Sequence, residues 1–163
     1  LFHAGEIEMT ETCADLAREI DALLAGEPDE VANMANAAAA VFHGLNDLNW
    51  AGFYRLVGRE LVLGPFQGKP ACVRIGLDGP GPLGVCATAA VERRTVRVAD
   101  VHAFPGHIAC DAASNAELVV PVFAGGELVA VLDLDSPTAG RFSEADEARC
   151  EAIAAAVGRR WRG

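Results

Sequence analysis

The period of apolar and polar positions changes along the chain, and the changes mark its elements. In TETCADLAREIDALLAG, from residue 10 to 26, Cys13, Leu16, Ala17, Ile20, Leu23 and Leu24 fall at helical spacing and predict one apolar helix face. Thr10 or Thr12 can cap this helix, and Gly26 with Pro28 stops it. DEVANMANAAAAVFHGL follows, Ala-rich and helix-favouring, and ends at Gly44. Then the period shortens. WAGFYRLV and ELVLGPF are β-prone and joined by Gly58-Arg59 as a hairpin turn, and ACVRI predicts a third short strand. GLDGPGPLG, residues 76–84, is a loop. VCATAAVERR can make about two helical turns, and TVRVAD another strand. The long segment VHAFPGHIACDAASNA reads as loop, and loops of that length tend to carry function. ELVVPVF and ELVAVLDLD are the last strands, linked through Gly125-Gly126. Ser143 and Asp146 suit the start of a final helix whose Cys150, Ile153, Ala154, Val157 and Trp161 share a face. The pattern predicts an α+β (α/β-like) domain: a mostly antiparallel sheet flanked by N- and C-terminal helices.

Composition narrows the function classes. A chain of 163 residues, 52% hydrophobic and 22% charged, has enough material for one domain with a sizeable core. A single domain over 1–163 is expected, with residues 1–10 as a flexible or added end. The net charge of −10 disfavours nucleic acid and anionic membrane surfaces as partners. No apolar run approaches the roughly 20 residues of a bilayer span. The first residues, LFHAGEIEMTET, do not read as a signal peptide, so a cytoplasmic location is expected.

Five cysteines, none in a CxxC pair, argue against a disulfide framework and against a zinc cage. Cys13 and Cys150 fall on apolar helix stripes, where cysteine acts as a small hydrophobe. Cys72, Cys86 and Cys110 lie at loop edges. An accessible thiol there is prone to oxidation unless its chemistry is used. Redox or nucleophilic work and incidental small residues at strand ends are both open readings of these three.

Five blocks then carry a resemblance: NWAGFYRL, LVLGPFQGKPACVRI, GVCATAA, DVHAFPGHIACDAASNAELVVPV and VLDLDSP. Together they resemble the GAF-domain free methionine-(R)-sulfoxide reductases, from about Asn49 to Pro137 and weakly into both terminal helices. The resemblance implies a six-stranded antiparallel sheet with flanking helices, and a homodimer. It implies that Cys110 is the nucleophile, Cys72 the resolving thiol and Cys86 a possible second resolving thiol. Glu117, Asp133 and Asp135 match the carboxylates that shape the family's pocket, and Trp50 and Tyr54 match its aromatics. The chain departs from the family pattern in a longer 76–84 loop and in Ala87, where the family reads Gly; both bear on the position of Cys86.

The implied reaction is reduction of free L-methionine (R)-S-oxide. Cys110 would attack sulfur and become a sulfenic acid, Cys72 would condense with it, and thioredoxin would reduce the disulfide. No metal or organic cofactor is implied. The alternation in VLDLD sets Asp133 and Asp135 on one strand face, opposite Leu132 and Leu134. Several acids together could pair with the ammonium of a free amino acid while one stays protonated; a solvated strand end is the plainer account. Trp50 and Tyr54 could hold the S-methyl group or simply pack in the core. His107 could act on the thiol as an imidazolium, although a solvent-facing loop residue is the expected reading. His3, His43 and His102 receive no role. A GAF small-ligand binding module or a thiol redox sensor, without catalysis, is the alternative.

Overall fold

The computed structural model describes residues 15–107 and 112–163. The first helix, α1, is described over 15–23. It is followed by α2 (Glu30–Gly44), β1 (Trp50–Val57), β2 (Glu60–Gly68), β3 (Arg74–Gly76) and α3 (Val85–Glu92). Then come β4 (Val96–Val98), a 3-10 turn (Val101–Ala103), β5 (Ala116–Ala124), β6 (Glu127–Ser136) and α4 (Glu144–Arg159). The six strands form one sheet in the order β3-β2-β1-β6-β5-β4, every neighbouring pair antiparallel. The α+β architecture expected from the sequence is the one observed.

Local chemistry sets the element ends. Asp29 caps α2 by accepting from the Ala32 N–H at 2.8 Å. Ser143 and Asp146 form a reciprocal capping box at the start of α4. Gly125 and Gly126 take φ of +57° and +84°, the left-handed pair that a two-residue hairpin turn requires. Between the pairs Gly52–Phe66 and Tyr54–Leu63 the β1–β2 register slips, with an extra residue on β2. Pro65 sits in that bulge, where a missing N–H costs no ladder bond.

Both sheet faces are covered, so strands read as runs of apolar residues rather than strict alternation. On one face Phe53, Leu118, Val120, Leu132 and Leu134 pack against Ile20, Leu24, Met34, Val41, Cys150 and Ile153 of the terminal helices. On the other, Trp50, Tyr54, Leu61, Val119 and Val131 pack against Val85, Cys86, Ala89 and Ala90 of α3. A one-residue register slip in β5 or β6 would exchange these faces.

Three expectations need adjustment. Leu23 is 53% exposed while Leu24 is 1% exposed, because α1 packs along its Leu16–Ile20–Leu24 row. Of ACVRI only Arg74 onward joins the ladder, although the Val73 carbonyl still accepts from the Leu63 N–H at 2.9 Å. Trp161 lies beyond the end of α4 and packs on the core from there. Cys150 is fully buried on α4, as its apolar stripe predicted, and its thiol is pushed up to about 12 by burial. Cys13 lies outside the described residues. Among the described residues no helix is long and apolar enough to cross a membrane.

Candidate active site

A pocket opens on the α3 face of the sheet. Its floor is Glu117 of β5 with Asp133 and Asp135 of β6; its wall is Trp50 and Tyr54 of β1. Gly84, Val85 and Cys86 close it from the start of α3, residues 69–71 and Ile75 from the β2–β3 side, and His107 and Ser114 from the long loop. The strand pairing explains the convergence. Asp135 stands opposite Glu117 on one side and Trp50 on the other; Asp133 stands opposite Val119 and Gly52. All these side chains leave the sheet on one face.

The aromatic wall is held by close contacts. Trp50 stacks on Phe66 with centroids 5.2 Å apart and on Tyr54 at 5.9 Å. A Cβ on Gly52 would come within 2.3 Å of Phe66 Cβ and 2.7 Å of the Trp50 ring, so only glycine permits this stack. Trp50 Nε1 donates to the Lys69 carbonyl at 3.1 Å, and Tyr54 Oη donates to the Cys72 carbonyl at 2.9 Å. The two rings thereby tie the segment that carries Cys72 to the pocket wall.

Burial dominates the acid chemistry. Glu117 and Asp133 are 7% and 5% exposed. Burial, then the charge of Asp135, raises Glu117 to about 8. Burial, then Glu117, holds Asp133 well above the usual carboxylate range. The two carboxyls lie within hydrogen-bonding reach of each other, so they titrate as a coupled pair, both displaced toward the protonated form. Cys86 Sγ donates to Glu117 Oε1 at 3.8 Å. Asp133 Oδ1 is buried and has no hydrogen-bond partner, which in a native pocket calls for a ligand or ion. Burial raises the Tyr54 phenol as well, leaving it a neutral donor.

The sequence-derived candidates separate into three groups. Trp50, Tyr54, Glu117, Asp133 and Asp135 meet in the pocket. Cys72 is half-buried at its edge and disulfide-bonded. Cys110 lies outside the described residues. Cys86 differs from expectation: it is the second residue of α3, 6% exposed, not an accessible loop thiol. Burial and then Asp133 and Glu117 push its thiol well above the usual value. Ala87 sits inside α3 at 1% exposure, in a helical turn with no need of glycine.

His107 also differs. It lines the pocket with its side chain 15% exposed, and Nδ1 is 4.0 Å from Glu117 Oε2. Burial and then His102 lower its pKa, so it is a neutral imidazole at pH 7 and not the imidazolium considered from the sequence. Gly106, at φ +77°, explains its placement: a Cβ there would lie 2.3 Å from the Pro82 carbonyl oxygen, so the loop is seated against the 76–84 loop. Ser114, 4% exposed and accepting from Asn49 Nδ2 at 3.1 Å, was not read as a site residue. Its signal was a hydroxyl at the entry of a buried strand.

The GAF domain family matches residues 8–161. The free methionine-R-sulfoxide reductase of Escherichia coli strain K12 is 52% identical over 138 residues, 85% of this chain and 81% of that protein. The chain belongs to the GAF-domain free methionine-R-sulfoxide reductase family. Two solved structures of that family share the fold. That of the Neisseria meningitidis reductase in complex with its substrate has a TM-score of 0.87 at 38% identity, covering 94% of this chain and 90% of that one. The reduced form of fRMsr from Staphylococcus aureus has a TM-score of 0.86 at 43% identity, covering 92% and 95%.

Proposed function

We propose that the protein reduces free methionine (R)-S-oxide to methionine with a thiol and no cofactor. The observation that carries this reading is the convergence of Glu117, Asp133 and Asp135 opposite the Trp50–Tyr54 wall, in a chain of this family. The S-methyl group lies against the aromatic wall, which favours a polarisable apolar moiety. The ammonium pairs with carboxylate charge on the floor. A peptide-bound methionine lacks that ammonium, which gives selectivity for the free amino acid.

The Cys110 thiolate attacks sulfur while a neutral acid of the Glu117–Asp133 pair protonates the sulfoxide oxygen. Oxygen passes to Cys110, giving methionine and a sulfenic acid, so sulfur of the substrate gains two electrons and Cys110 loses them. The Cys72 thiol then displaces water to form a disulfide. A dithiol protein of thioredoxin type exchanges with that disulfide and restores both thiols. The disulfide state of Cys72, and its tether through Tyr54, support its assignment as the resolving residue. Cys86 is the weaker candidate for that step because its thiol is buried and held protonated. A homodimer in the cytoplasm completes the reading.

Cys110→Ser assayed with the free R epimer and a thioredoxin system is expected to lose turnover entirely; normal turnover sinks the proposal. Cys72→Ser should release about one equivalent of methionine per chain and then stall, since each nucleophile is consumed once. Sustained thioredoxin-driven turnover in that variant would assign resolution to another cysteine. Ligand binding with no methionine produced would favour a sensory role.

A further inference from the structure

Cys86, Glu117 and Asp133 come from α3, β5 and β6, and each presents a ligand atom within 4.8 Å of the other two. All three are buried. Cys86 Sγ and Glu117 Oε1 are 3.8 Å apart. Two ligands of a tetrahedral zinc ion, one sulfur and one oxygen, stand roughly 3.5 Å apart given ordinary zinc–ligand lengths. The Cys86–Glu117 edge is therefore already close to the spacing of such a site, with the Asp133 donor within 4.8 Å of both.

Two further features favour a cation. Asp133 Oδ1 is buried without a partner, an acceptor waiting for something positive or protic. A thiol beside two carboxylates is also a selective donor set. Mg²⁺ and Ca²⁺ prefer oxygen alone, whereas a sulfur ligand favours Zn²⁺ and its neighbours. Three protein donors at a pocket floor leave a fourth position facing the cavity.

We propose that Cys86, Glu117 and Asp133 form a binding site for a thiophilic divalent cation, with Zn²⁺ as the type, and that the bound ion closes the pocket to its amino-acid ligand. The second half rests on the function proposed above. The ion and the sulfoxide group need the same two carboxyls, so they exclude each other. Loading the site releases the protons of the ligand groups to solvent and involves no electron transfer. Cys86 thereby gains a role suited to a buried thiol that is poorly placed for nucleophilic work.

The test uses the disulfide form of the protein, so that Cys72 cannot bind metal. It is titrated with Zn²⁺ by calorimetry and with Co²⁺ by absorption, without sulfoxide. One ion per chain and a thiolate-to-cobalt charge-transfer band in the near ultraviolet are expected. Cys86→Ser should abolish the band, and Asp133→Asn should weaken Zn²⁺ binding on the order of 100-fold, at the upper end of losses seen even for outer-shell groups. No band, or a band that survives Cys86→Ser, overturns the site. Binding of free methionine (R)-S-oxide to the same disulfide form is then measured with and without one equivalent of Zn²⁺. A loss of tenfold or more is expected, and unchanged affinity overturns the closure. Turnover is measured separately with a chelator, so its failure would strike the proposed reaction and leave the metal site standing.

Discussion

The two faces of the sheet share backbone, strands and register, yet they follow opposite rules. Leu132 and Leu134 leave β6 toward the terminal helices and are fully buried among apolar groups. Asp133 and Asp135 leave the same strand toward α3 and meet Glu117, Cys86 and Tyr54. On the first face the buried strand side chains pack among apolar groups of the helices, and the contribution is stability. On the second, buried acids keep protons they would lose in water, and an oxygen of Asp133 stays without a partner. Burying such groups costs stability. A fold tolerates that cost at a site that works, and adjacent residues of one strand can therefore be separated by experiment.

The sharpest break is between neighbours. Asp133→Asn keeps the shape and removes the proton donor, so turnover should fall by about 10² to 10⁴, the usual range for a general acid. Its thermal stability should hold or rise, because a buried ionisable group is gone. Leu132→Ala should do the reverse. It opens a cavity on the helix face and costs about 2–5 kcal/mol, read as a lowered denaturation midpoint, with turnover per folded molecule near normal. If both variants lose stability alike and activity alike, the two faces are not functionally distinct.

The helix face was almost fully legible in the sequence, because apolar periodicity and capping residues report burial directly. Ile20, Leu24, Cys150 and the Ser143–Asp146 box stand where the pattern put them. Leu23 escaped because two adjacent leucines satisfy helical spacing equally, and only packing selects one. On the site face period-two alternation set Asp133 and Asp135 together, whereas Glu117, Trp50 and Tyr54 were named by the family resemblance, and strand pairing brings all five to one pocket. Cys86 and His107 were not legible. Both positions are set by contacts between distant segments: α3 over the sheet for Cys86, and the seat of Gly106 on the Pro82 carbonyl for His107. Ser114 was missed for the same reason, since its burial depends on packing that periodicity does not encode.

A pH series sharpens the comparison at intermediate size. Glu117 has its folded pKa raised from 4.5 to about 8, so the native state holds a proton that the unfolded chain has already released across that window. Fewer protons on the unfolded state means stability falls as pH rises. The chelated, ligand-free protein should thus be most stable near the acid end of the window and lose on the order of a few kcal/mol by its alkaline end. Glu117→Gln should flatten the slope. A slope that survives the substitution would assign the proton to Asp133 alone. Substitutions on the helix face should shift the whole curve without changing its shape.

The smallest effect lies in the wall that faces those acids. Gly52 pairs with Asp133 across β1 and β6, and its missing Cβ lets Trp50 lie on Phe66. In Gly52→Ala the new methyl lands 2.3 Å from Phe66 Cβ and 2.8 Å from its Cα, which is backbone and cannot simply rotate away. Overpacking of this kind costs typically 1–3 kcal/mol. The contacts also predict where the strain goes. The Trp50 ring is the more movable neighbour, and moving it loosens its bond to the Lys69 carbonyl and the segment leading to Cys72. The variant should therefore raise KM for the sulfoxide several-fold and slow disulfide formation, with the chemical step at sulfur little changed. Single-turnover methionine release and intrinsic tryptophan fluorescence separate these effects. An unaltered KM with an undisturbed Trp50 signal would mean that the wall yields at Phe66 instead, and that the aromatic stack positions the fold rather than the substrate.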